Sequence, residues 1–157
     1  MYNHYNFNLV TYAIPCKTLE MKMKKTFLLV IALLILTACS SASPDITGEW
    51  KLVSYGDVSS PTLAIPNVDT SINFDSKGQI SGNVGCNGFG GNYELSGDKI
   101  TFSEIMSTMM YCEESMMQEQ GVLGVFSESV ALQIQVKDNS LTITSTDGAS
   151  VVNLARK

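Results

Sequence analysis

Histidine is almost missing from this chain. Its 157 residues hold one, His4. A Ser-His-Asp triad, a Cys-His dyad and a histidine-ligated zinc all need imidazole, so those chemistries have no material beyond the first few residues. Clustered base is missing too. After Lys25 the only adjacent pair of cations is Arg156-Lys157, and a nucleic-acid partner needs a larger positive footprint. No close-set Cys-x-x-Cys occurs among the four cysteines, which argues against a redox pair. The unbroken apolar run Phe27–Leu36 falls well short of the roughly 20 residues that span a bilayer.

What that run does have is a setting. Lys22, Lys24 and Lys25 precede it, and Thr37, Ala38 and a string of serines follow. A basic stretch, an apolar stretch and a small-residue exit make a secretory signal. Leu36-Thr37-Ala38-Cys39 resembles a bacterial lipobox, which implies acylation at Cys39 and cleavage just before it. Several acyl chains on one residue would hold the protein at a membrane, where one chain alone is marginal. Ser40 in place of an Asp resembles outer-membrane cargo if the cell is Gram-negative. Residues 21–38 are therefore expected to be a lipoprotein signal peptide, residues 39–45 a lipidated tether, and residues 46–157 the folded domain. Residues 1–20 lack a period or a basic stretch of their own and are expected to be an over-extended start, with an unstructured N-terminal extension as the alternative.

Removing the leader changes the inventory. Cys39 to Lys157 is 119 residues, enough for one domain. Of ten Lys+Arg, Lys17, Lys22, Lys24 and Lys25 precede Cys39; of fifteen Asp+Glu, only Glu20 does. The remainder carries a net charge of −8, read as a solvated, solubilising surface. His4 and Cys16 also leave. Cys86 and Cys112 remain, 26 positions apart. In an oxidising envelope a disulfide is expected; two buried free thiols and a redox pair are the alternatives.

Short alternating segments fill the domain. Trp50 and Leu52 share one face of the first, opposite Val53 and Tyr55. A loop spans Asp57 to Asn67. Thr70, Ile72 and Phe74 lead through the turn Asp75–Gly78 to Ile80, Gly82 and Val84. The glycine-rich stretch Gly82–Leu95 lacks the Lys-Ser/Thr and the strand-to-helix step of a phosphate cradle, so it reads as a corner between barrel strands. Tyr93 and Leu95, then Ile100 and Phe102, form a hairpin, and Met106–Met110 suggests a further short strand. Glu113 to Val130 fits a helix, weakened by Gly121 and Gly124. Its methionine stripe is expected to pack as core, with a binding surface as the alternative. Leu132, Ile134 and Val136, then Leu141 and Ile143, then Val152 and Leu154 complete the pattern. The count predicts a mainly β fold: a small antiparallel β-barrel of about eight strands with one helix over an end or an open edge.

The segments GEWKLVSY, INFDSKGQISGNVGCNGFGGNYEL, ITFSEIMSTMMYC and LTITSTDGASVVNL, taken in order, resemble the META domain family, which includes HslJ-like bacterial lipoproteins. Its early Trp-x-Leu is matched by Trp50 and Leu52. Its Gly-Cys-Asn with a following aromatic is matched by Gly85, Cys86, Asn87 and Phe89, and its Thr-x-Met-x-Cys by Thr108, Met110 and Cys112. The resemblance implies a lipocalin-like barrel with an added helix, and a part in envelope stress, antibiotic tolerance or virulence. It carries no catalytic residues.

The functional expectation is a non-enzymatic, membrane-anchored envelope lipoprotein that acts by binding, with no cofactor or metal. Its expected partners are membrane lipid through acylated Cys39 and a protein or envelope component; nucleic acid is not among them. Asn87 and Phe89 are the candidate binding residues. Three alternatives remain. A barrel can carry a small apolar ligand, although inward Trp50, Phe74, Phe102 and Ile134 favour a filled interior. A loop such as Asp57–Asn67 can inhibit an extracellular enzyme. Paired carboxylates can hydrolyse, but adjacent Glu113 and Glu114 diverge on a helix, and Asp69 and Asp75 need a cleft to unite them.

Overall fold

Alternation of apolar and polar residues puts one face of each strand inward, and in this chain those faces close on one another. The computed structural model describes residues 42–157. The strands are β1 (Gly48–Asp57), β2 (Thr62–Leu63), β3 (Ser71–Phe74), β4 (Gln79–Asn83), β5 (Gly88–Ser96) and β6 (Lys99–Ser107). Helix α1 (Met116–Phe126) follows, then β7 (Ala131–Lys137), β8 (Ser140–Thr144) and β9 (Ser150–Arg156). Neighbours along the chain pair antiparallel from β3 to β9, and β1 joins β3 on one edge and β9 on the other. The result is a closed eight-stranded up-and-down barrel of the lipocalin type. The two-residue β2 adds to β1 at Ser54 and Tyr55, beyond the end of β3, so the expected long loop contains a strand.

Closure removes the sheet edges that an open meander would expose. One seam is thin. β6 meets β7 only across Lys99–Thr101 and Ala131–Gln133. Past that point β6 stays paired to β5 alone, through a register shift opposite Gly90 and Asn92, where Glu104 adopts φ 55°. No further strand forms at Met106–Met110: Met106 and Ser107 end β6, and residues 108–110 lie outside any strand. The glycine-rich corner is shorter than its composition suggests, because Gly88, Gly90 and Gly91 lie within β5.

The interior is filled. Trp50, Phe74, Ile80, Ile100, Phe102, Leu132, Leu141 and Ile143 are all buried, and so are Ile134 and Tyr93. Phe74 stands edge-on to Tyr93 at 5.1 Å, and Phe102 lies 4.6 Å from Phe126 of α1. At one end Ile46 is buried and its carbonyl accepts the Trp50 indole N–H at 2.9 Å, while the Arg156 guanidinium lies 4.4 Å over the Trp50 ring.

Helix α1 closes the other end, packing on β1, β6 and β9. Val122, Val125 and Phe126 enter the core. Gly121 does not break the helix but seats it: a Cβ there would lie 2.6 Å from the Tyr55 ring. The helix is shorter than Glu113–Val130, and Glu113 and Glu114 lie exposed in the turn before it.

Candidate functional site

Between β4 and β5 the chain turns through Val84, Gly85, Cys86 and Asn87 with no strand partner for its backbone donors. Helix α1 supplies one. Glu119 is buried, and its Oε1 accepts the backbone N–H of Asn87 at 2.6 Å and also that of Cys86. Its Oε2 accepts Asn87 Nδ2 at 2.7 Å. Burial acts to raise the Glu119 pKa, but the hydrogen bonds from Asn87 and Cys86 outweigh it and hold the carboxyl below its ordinary value. One residue earlier, buried Gln118 donates from Nε2 to the Val84 carbonyl at 2.5 Å and accepts the Ile65 N–H at 2.8 Å. Gly85 permits this approach: a Cβ there would meet Ser115 Cβ at 2.7 Å and Glu119 Oε1 at 2.8 Å.

Asn87 also binds the strand exit after β6. Its Oδ1 accepts Thr108 Oγ1 at 2.8 Å and Met110 N–H at 2.7 Å, and its Nδ2 donates to the Met110 carbonyl at 3.0 Å. The amide thus uses both donors and both acceptor positions within the chain. Phe89 is buried in the core, its ring 6.0 Å from that of Phe126. Phe89 therefore belongs to the core, whereas Asn87, though buried and bonded to protein, also lines an outer groove. Cys86 and Cys112 form a disulfide, which ties the same turn to the same exit segment.

The methionines differ most from the sequence-based expectation. Met117 is 72% exposed, Met109 96%, Met106 74% and Met110 58%. The stripe is not core. The helix turns Gln118, Glu119, Val122 and Val125 inward instead, because the turn at 84–87 needs polar partners there. Met109, Met110, Tyr111, Met116 and Leu123 line an outer groove of about 500 Å³ beside the disulfide. Asn87 lines the same groove; sequence reasoning did not place the methionine loop beside it, for which the bunching of methionine was the signal available.

The carboxylates singled out for hydrolysis are employed separately. Asp75 accepts the Lys77 and Gln79 N–H groups in the β3–β4 turn, at 2.8 and 2.7 Å, and Asp69 pairs with Lys157 at 3.0 Å. Among the described residues no three His, Cys, Asp or Glu gather into a metal-binding group. Cys39, the signal segment and residues 1–20 lie outside the described residues.

A family model described as META domain matches residues 44–157, the stretch that holds the barrel, the disulfide and the Gly-Cys-Asn turn. This chain belongs to the META domain family. No curated protein matches it. Among solved structures, an NMR structure of a protein from Burkholderia xenovorans is 17% identical, covers 76% of this chain and 95% of its own, and has a TM-score of 0.58. A crystal structure of a duf4847 family protein from Bacteroides vulgatus is 12% identical, covers 71% and 93%, and has a TM-score of 0.54. At these identities the likeness is one of fold.

Proposed function

We propose that this META domain protein is a membrane-anchored envelope lipoprotein that works by binding a protein or envelope component, and so contributes to envelope stress or antibiotic tolerance. Acylation at Cys39 places it on the outer membrane, facing the periplasm, in a Gram-negative cell. The observation that carries the binding part is the contrast between a filled interior and an exposed rim. Side chains such as Trp50, Phe74, Phe102 and Phe126 occupy the space a carried ligand would need. Of the large apolar side chains left exposed, Met106, Met109, Met110, Tyr111 and Met117 fall in one segment at the helix end. Contiguous apolar exposure of that kind marks interaction sites.

The test is a native pull-down of the acylated protein from membranes, with intact-mass analysis of what accompanies it. One protein at near-stoichiometric yield is the expected result. A small lipid recovered instead would overturn the filled-barrel reading in favour of a carrier. Anchoring is tested separately: Cys39→Ala is expected to move the protein into the soluble fraction, and retention on membranes would refute the lipid anchor.

A further inference from the structure

All five methionines of the described residues fall between Met106 and Met117, and none is buried. The core is built from Ile, Leu, Val, Phe, Tyr and Trp, without one methionine. A face selected only for apolarity would draw on the same leucines and isoleucines as the rest of the chain. The segment is enriched in thioether sulfur.

The backbone that presents these thioethers is fixed. Met110 is held on both sides, its N–H and its carbonyl both bound by Asn87. Two residues on, Cys112 is bonded to Cys86. The Cys112 carbonyl accepts the Met116 N–H at 3.1 Å, which sets the first helical residue against the same loop. Met109, Met110 and Met116 line one groove. The disulfide removes the neighbouring thiols as competing ligands. Glu113 and Glu114 lie exposed in the turn between Met110 and Met116 and favour a cation nearby.

Thioethers are soft, uncharged ligands that select Cu(I) and its relatives over zinc, calcium or magnesium. We propose that Met109, Met110 and Met116 form a binding site for a soft monovalent cation of the Cu(I)/Ag(I) class. Binding is simple coordination: three neutral sulfur lone pairs are donated, and no proton or electron moves. This goes beyond the proposed envelope binding role and does not depend on the lipid anchor.

The test uses the full chain and Ag(I), which is redox-inert under these conditions, beside the Met109→Leu/Met110→Leu/Met116→Leu variant. Leucine keeps nearly the same volume and apolarity, so the fold and an apolar docking face survive the change while the sulfur is lost. Both chains retain His4, Cys16 and Cys39, so the difference between them reports the groove alone. The expected result is about one more Ag(I) retained by the wild type, unchanged between pH 5 and 8 because thioethers do not titrate there. The ε-methyl resonances of Met109, Met110 and Met116 are expected to shift together. Equal retention by the two chains, or unshifted methyl resonances, would overturn the proposal, even if the same groove then captured a protein.

Discussion

Asn87 meets the Glu119 carboxylate with two donors, its backbone N–H on Oε1 at 2.6 Å and its side-chain Nδ2 on Oε2 at 2.7 Å. This pair joins the β4–β5 turn to helix α1, and through Met110 it joins both to the segment after β6. The polar centre of the conspicuous Gly-Cys-Asn motif is thus a fastening. The outer groove is the surface that fastening holds in place.

Asn87→Ala removes a side chain with four hydrogen-bond roles and leaves the buried Glu119 Oε2 without its Asn87 donor, while the exposed Thr108 and Met110 groups can turn to water. Leaving that one buried group unpaired costs about 1–3 kcal/mol, so a destabilisation of that size is expected in urea denaturation. A melting temperature within a degree of wild type would contradict the fastening role and return Asn87 to consideration as a ligand-binding residue.

Glu119 gives this fastening a pH dependence. Its folded pKa lies below the ordinary 4.5, so its contribution is fully present above that value and is lost as pH falls through the folded pKa. Asp45, Asp57 and Asp147 are also lowered, chiefly by hydrogen bonds from the Thr47, Ser59 and Ser145 side chains, and they act in the same direction. Glu119→Gln isolates one group. The variant is expected to be less stable than wild type at pH 7 and to approach it at acid pH. Parallel stability curves from pH 7 to pH 2 would refute this.

The disulfide closes a separation of 26 residues. The chain-entropy model assigns such a crosslink roughly 3 kcal/mol. Cys86→Ala/Cys112→Ala is expected to lose about that much while keeping a β-rich circular dichroism spectrum, because the barrel core does not include the bridge. An unfolded double variant would show that the bridge is required for folding itself.

Two glycines of the same helix give opposite signs. Gly121→Ala places a Cβ against the Tyr55 ring and is expected to destabilise by about 1–3 kcal/mol, since overpacking exceeds the gain in helix propensity. Gly124 has nothing within 4 Å of its Cβ position, and Gly124→Ala is expected to stabilise by about 0.5–1 kcal/mol. Thermal melts of the two variants moving in the same direction would refute this account of the helix seat.

The barrel strands were legible because one face of each is buried and period-two alternation records that directly: Trp50 and Leu52, Ile72 and Phe74, and Ile100 and Phe102 all point inward. The helix was legible in type but not in extent or facing. Its buried face holds Gln118 and Glu119 beside Val122 and Phe126, so apolar periodicity misassigned the methionines. Asn87 and Phe89 drew attention by their motif, and the motif marks where the chain must be held.

The sequence by itself determined the strand pattern, the lack of imidazole chemistry, the acidic surface and the family, because these depend on composition and on residues close together in the chain. Only the tertiary structure decided that Asn87 faces Glu119, 32 residues away, and that the methionines face outward. Both follow from barrel closure. It brings a turn with unpaired backbone donors against one helix face, and that face must then carry polar partners and give the other side of the helix to solvent.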